Sequence, residues 1–247
     1  MPPHREHYRK GISPLVFAAC LALAATATGA GKESKPPTYG GIEAAIPKER
    51  DVLWWARRHK EKVALAAKGE AELVMIGDSL VHNFEVKGRQ LWALYFGRYR
   101  PLNLGFNADL TEHALWRLQN GELDGISPRL AIIMIGTNNG GLRRDPPAFT
   151  QAGIAAIIDE IRTRLPETRI LLLGIFPRGP FPRHQLRILN ASVNEVLPDL
   201  AEADPMVRYM DIPPNTSSEQ DMPGKISTPS SSACSAIHRQ TLPMDTI

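Results

Sequence analysis

Cysteine is almost absent from this chain of 247 residues: Cys20 and Cys234 are the only two. Cys20 sits inside an apolar N-terminal run, so removal of that run leaves one thiol and no intrachain disulfide. The fold must then stand on its hydrophobic core, and 43% hydrophobic with 22% charged residues is enough for a single α/β domain of this length. Charge of one sign is equally scarce. The net charge is +3, and Arg5, Arg9 and Lys10 against Glu6 supply most of it, so basicity gives no case for a nucleic-acid partner. Long hydrophobic runs are missing too: Leu15 to Ala25 extends about 11 residues where about 20 are needed, which argues against a stable membrane span. The glycine-rich Gly136-Thr137-Asn138-Asn139-Gly140-Gly141 lacks the Lys-Ser/Thr pair of a phosphate-binding loop, which excludes nucleotide chemistry there. There is no internal repeat.

What is present begins with a targeting pattern. A basic start, the apolar run and small residues at Ala25-Thr26-Ala27 and Thr28-Gly29-Ala30 read as a signal peptide over residues 1–30, predicting export to the periplasm or the extracellular space. Residues 31–47 form a linker, rich in Pro and Gly from Lys35 to Gly41. Lys48 to Lys68 reads as an amphipathic helix, with Leu53, Trp54, Ala56 and Val63 as its apolar contacts. Arg57, Arg58, Lys60, Glu61 and Lys62 form its solvated face. Short apolar strands are predicted at 73–76, 101–104, 130–135, 169–173 and 207–211, with helices around 86–96, 111–119, 147–165 and 184–203. Strands separated by helices are the signature of a parallel sheet covered on both faces, a three-layer α/β/α arrangement. Ligands bind such sheets at the carboxyl ends of the strands, and Ser79, Gly105 and Asn138 all fall just past such ends.

The chemistry centres on Val74-Met75-Ile76-Gly77-Asp78-Ser79-Leu80, a strand that runs straight into a Gly-Asp-Ser turn. A serine hydroxyl is a weak nucleophile near neutral pH and needs both a base and donors for the oxyanion formed on attack. Asn138 offers a rigid amide for the second task. Bland roles compete at each position: Ser79 as a helix cap, Gly105 as a turn glycine. His82, three residues after Ser79, reads as a pocket-rim residue, His113 as a helix-start residue near Asp109, and His184 as the start of a solvated helix. Trp54, Trp55, Trp92 and Trp116 read as packing anchors rather than a sugar platform.

Three blocks in order give the chain a family likeness. Gly77-Asp78-Ser79, Asn103-Leu104-Gly105-Phe106 and Gly136-Thr137-Asn138-Asn139 resemble the first three blocks of the SGNH (GDSL-type) hydrolases, in the branch similar to platelet-activating-factor acetylhydrolase catalytic subunits. Trp116 to Glu122 and Leu172 to Gly179 also resemble that branch, and the likeness covers roughly 54–227 within a hydrolase-like domain over 48–227. The resemblance implies a flavodoxin-like, five-stranded parallel sheet. It implies Ser79 as nucleophile, the Gly105 N–H and the Asn138 amide as oxyanion donors, a small acyl ester as substrate, and neither metal nor organic cofactor.

The fourth block of that family, an Asp-x-x-His near the C-terminus, is missing. None of the seven histidines has Asp three residues before it. His238 lies in the right region as the candidate base, with Ser235 where the acid belongs. Asp221 and Gly224 to Ser227 still look like the run that precedes the block, whereas residues 228–247 form an irregular Ser/Pro/Thr-rich tail. An altered reading frame or a truncated gene is the expected origin, with divergence as the alternative, and the C-terminal part of the fold is expected to be incomplete. An uncovered apolar side of the sheet would then promote self-association. Two functions stand: an exported serine esterase, or an impaired relative that binds an ester, glycan or protein without turnover.

Overall fold

The computed structural model describes residues 39–212. Their centre is a five-stranded sheet of β1 (Leu73–Gly77), β2 (Pro101–Gly105), β3 (Leu130–Met134), β4 (Arg169–Leu173) and β5 (Val207–Met210). The strand order is β2-β1-β3-β4-β5 and every pairing is parallel, the flavodoxin-like order expected. Each strand falls within a residue or two of its predicted position, because four- to five-residue apolar runs bounded by helices leave little room for another reading. β2 lies at an edge, where Pro101 at its first position costs no ladder bond. In register, Gly77 of β1 stands opposite Gly105 of β2 and Met134 of β3, so the ends of these three neighbouring strands are level.

Alternation along the strands divides the core in two. Val74, Ile76, Ala131, Ile133, Ile170, Leu172 and Val207 face one cluster. There α5 (Pro147–Arg164) lays down Ile154, Ile157, Ile158 and Ile161, an i, i+3, i+4, i+7 stripe. α4 (Thr111–Arg117) and α6 (Gln185–Val196) contribute Ala114, Leu115 and Val193 to the same side. Leu73, Met75, Leu130, Ile132, Met134, Leu171 and Leu173 face the other cluster, with Val81 and Phe84 of α2 (Ser79–Val86) and Phe96 of α3 (Arg89–Phe96). Leu171 and Leu173 of this second cluster are 8% and 1% exposed.

Three helix readings change. The first helix, α1, runs Leu53–Ala66, and its buried face is turned from the one predicted. Leu53 and Trp54 are exposed, whereas Trp55 is fully buried and Lys62 is 2% exposed. Lys62 is buried because its ammonium meets both carboxylate oxygens of Glu85, at 2.8 and 3.0 Å, so a residue read as solvated serves as an internal pairing group. Gly88 divides the region after Ser79 into α2 and α3. Pro198 opens a short α7 (Pro198–Glu202) where one helix to residue 203 was expected, since proline suits a helix start and not its interior.

Close approach, and not backbone freedom, explains Gly105. A Cβ there would stand 2.3 Å from the backbone N of His82 and 2.6 Å from the carbonyl C of Val81, so α2 rests directly on the end of β2. Gly105→Ala is therefore expected to destabilise the fold by about 1–3 kcal/mol, the range for overpacking, by pushing α2 off the sheet. Urea unfolding measures it; a change below about 0.5 kcal/mol would contradict this packing.

Candidate active site

Ser79 opens α2 directly after β1, and its partly exposed position faces the carboxyl edge of the sheet beside the β1/β3 switch point. The helix begins there because Asp78 caps it: Oδ1 accepts from the Leu80 N–H at 2.9 Å. Asp78 is 1% exposed. Burial pushes its carboxyl up to about 7, against the pull of the Leu80 N–H; Asp109 pushes the same way as burial and Arg178 opposes it.

The turn after β2 is fixed by a buried ionic hub. Asp109 is fully buried, and its carboxylate accepts from Trp55 Nε1 at 2.8 Å, Arg50 Nη1 at 3.0 Å and Arg117 Nε at 2.9 Å. Arg117, also fully buried, pairs through Nη1 with Glu122, and its guanidinium carbon lies 3.7 Å from the centroid of the Phe106 ring. Glu122 in turn meets His59 Nδ1 at 3.0 Å. Phe106 N–H donates to Gly77 O at 3.1 Å, tying this turn to the strand that leads into Ser79.

The two groups expected as oxyanion donors are placed differently. The Gly105 N–H, the donor implied by the family likeness, is engaged by Asn103 Oδ1 at 2.8 Å, and Asn103 is itself held by donating to Val81 O at 2.7 Å. That N–H is engaged inside the protein, and the missing Cβ of Gly105 lets α2 lie against it. In the turn that follows, Ala108 takes the left-handed conformation at φ 61°, and among the described residues the N–H groups of Asn107 and Ala108 meet no acceptor. Asn138 is held at both ends of its amide. It is 6% exposed, Nδ2 donates to Asp109 O at 2.9 Å, and Oδ1 accepts from Arg178 Nη1 at 3.3 Å. Among the described residues, one amide hydrogen meets no acceptor. Its neighbour Asn139, fully buried, locks the loop by bonding Thr111 and Asp145.

The described histidines sort by their Nδ1 atoms. His113 Nδ1 accepts from the Leu110 N–H at 3.1 Å and so starts α4, and burial followed by the cations Arg50 and Lys48 pushes it down to about 3, which keeps it neutral. His184 caps α6 by accepting from Leu186 N–H. His82 differs: its Nδ1 is buried without a partner, its ring centre lies 6.4 Å from that of Trp54, and burial and then Arg58 hold it below the usual histidine range. His238, Asp221, residues 1–30 and the 228–247 tail lie outside the described residues, as do residues 31–38 of the linker.

Three contributors were not given roles by sequence reasoning. Asp78 stood inside the Gly-Asp-Ser turn, Arg178 inside the Leu172 to Gly179 likeness, and Asp109 beside His113. The available signal was the same each time, a charged residue within a few positions of a strand end, and nothing local says which of these will be buried.

The family described as GDSL-like Lipase/Acylhydrolase matches residues 75–238. The platelet-activating factor acetylhydrolase IB subunit alpha1 of Bos taurus is 37% identical over 163 residues, covering 65% of this chain and 66% of that protein. The alpha2 subunit of Rattus norvegicus is 37% identical over 158 residues, covering 62% and 66%. The chain thus spans about two thirds of the length of these relatives. Among solved structures, a GDSL-like lipase from Bacteroides thetaiotaomicron aligns with a TM-score of 0.51 at 18% identity, covering 64% of this chain and 77% of that one, a likeness of fold alone.

Proposed function

The chain belongs to the GDSL-like lipase/acylhydrolase family, and on that premise we propose that it is an exported serine esterase that hydrolyses small acyl esters of a lipid or carbohydrate. The observation that carries this reading is the partly exposed Ser79 at the start of α2, with a nearly buried Asn138 amide that keeps one N–H unused at the same sheet edge.

In this mechanism Ser79 Oγ attacks the ester carbonyl carbon and gives up its proton to a base. The carbonyl oxygen becomes the oxyanion, and Asn138 Nδ2–H together with an N–H of the Asn107–Ala108 turn donates to it. For the Gly105 N–H to serve instead, Asn103 Oδ1 would have to release it. Collapse expels the alcohol, which takes the proton from the base, and leaves an acyl-serine. Water activated by the same base then frees the acid and restores Ser79. His238 is the base in this scheme, supported by a family match that runs to residue 238.

A second reading keeps the pocket without turnover. It is favoured by Ser235 standing where the orienting acid belongs, since an unoriented base loses several orders of magnitude in rate. Hydrolysis of p-nitrophenyl acetate by the purified chain separates the two, alongside Ser79→Ala, His238→Ala and His82→Ala. Esterase activity predicts a loss of at least about 10³-fold in Ser79→Ala and His238→Ala, with His82→Ala near wild type. Turnover that survives in Ser79→Ala, or is absent from the parent chain, would favour the binding protein.

A further inference from the structure

We propose, resting on the reading of Asn138 as an oxyanion donor, that Arg178 is a positioning residue. Its guanidinium fixes which way the Asn138 amide faces and strengthens the N–H left for the substrate.

A primary amide can rotate by half a turn and exchange its oxygen and nitrogen, and such a flip would present a lone pair to the oxyanion where a donor is needed. Asn138 stands between two neighbours of opposite and fixed character. Asp109 O can only accept, and it takes Nδ2–H at 2.9 Å. Arg178 can only donate, and it gives Nη1–H to Asn138 Oδ1 at 3.3 Å and to Thr137 O at 3.1 Å. Flipping Asn138 would set acceptor against acceptor at Asp109 and donor against donor at Arg178. One orientation survives, and in it one Nδ2–H is free. A cation bound at Oδ1 also draws charge from the amide nitrogen, so the free N–H becomes a stronger donor.

The surroundings of Arg178 suit this role. Half-buried, it spends hydrogen bonds on two oxygens of the Thr137-Asn138 pair, and among the described residues it forms no ion pair within 4 Å. Residues 176–190 contain no Asp or Glu to draw it away. Gly141 makes room for it: a Cβ at 141 would stand 2.2 Å from Arg178 Nη1 and 2.7 Å from Cζ. Because the clashing group is the end of a flexible side chain, Gly141→Ala should displace the guanidinium while the loop stays in place. This gives a second way to remove the contact without touching Arg178 itself.

The test uses the ¹⁵N-labelled full chain, with the Asn138 side-chain amide identified by its loss in Asn138→Asp. In Arg178→Ala and Gly141→Ala the amide resonances are expected to shift and their hydrogens to exchange about tenfold faster, while Arg178→Lys, which keeps a donor, restores part of the wild-type signature. On p-nitrophenyl acetate the same variants are expected to lose about tenfold in kcat with KM within twofold, a fraction of the loss for deleting an oxyanion donor outright, with partial recovery in Arg178→Lys. Unchanged Asn138 amide signals in Arg178→Ala would overturn the proposal. So would a raised KM with kcat retained, which would place Arg178 on the substrate. If Ser79→Ala keeps wild-type turnover, the esterase reading falls, and the amide signals still decide the role of Arg178.

Discussion

Arg117→Ala is expected to cost about 3–5 kcal/mol of stability, the range for breaking a buried ion pair, and to be the most damaging single truncation of a charged residue in the described domain. Arg117, Asp109 and Glu122 are each at most 1% exposed. Removing the guanidinium leaves Asp109 with Trp55 and Arg50 but leaves Glu122 with His59 alone, a carboxylate buried beside a single ring nitrogen. It also strips the cation from the face of Phe106 and the donor from Leu104 O, bonded at 3.2 Å. Urea unfolding of Arg117→Ala should show a lower midpoint at an unchanged slope. Arg164 provides the contrast. It pairs with Glu160 and Asp124 at the surface, where Asp124 is 65% exposed, and Arg164→Ala should cost less than about 1 kcal/mol. Similar losses in the two variants would mean that the hub carries no special weight.

Asp78→Asn is expected to raise stability, and to do so increasingly with pH. The Asp78 carboxyl is raised in the folded protein, from 3.8 to about 7, chiefly by burial. A raised acid binds its proton more tightly folded than unfolded, so its contribution is fully present below about 4, is lost as pH climbs through about 7, and changes no further above that. Each pH unit across the window is worth about 1.4 kcal/mol. Asparagine keeps the oxygen that caps α2 at Leu80 and carries no charge to desolvate. At pH 4 the variant and the parent should therefore melt together, and by pH 8 the variant should be ahead by a few kcal/mol. Equal melting differences at pH 4 and pH 8 would mean that Asp78 ionises freely. A variant less stable at pH 8 than at pH 4, relative to the parent, would reverse the sign and place a counter-charge on Asp78 that outweighs burial.

The two variants mark where the sequence could be read and where it could not. The strands β1, β3 and β4 were legible because they are apolar on nearly every residue, and a run buried on both faces has few alternatives. The helix starts were legible where a breaker or cap stands, as Pro147 does for α5. The buried face of α1 was not. Period alone favoured Leu53, Trp54 and Ala56, but the tertiary partner of the helix is the polar hub, so Trp55 with its N–H and Lys62 with its ammonium turned inward, toward Asp109 and Glu85. Nothing within α1 announces a carboxylate that lies 54 residues away in the chain.

The same division runs through the site. Sequence alone was enough to set Ser79 at the end of β1 and Asn138 past the end of β3, because the order of apolar strands brings those ends to one sheet edge. Only the tertiary structure decided which groups at that edge are spoken for. Asn103 takes the N–H of Gly105, Asp109 and Arg178 hold the two ends of the Asn138 amide, and burial outweighs the pull of the Leu80 N–H and of Arg178 to raise the Asp78 carboxyl. The physical reason is range: hydrophobic period and turn chemistry act over a few residues, whereas hydrogen-bond partners and desolvation depend on side chains that meet only after the sheet has formed.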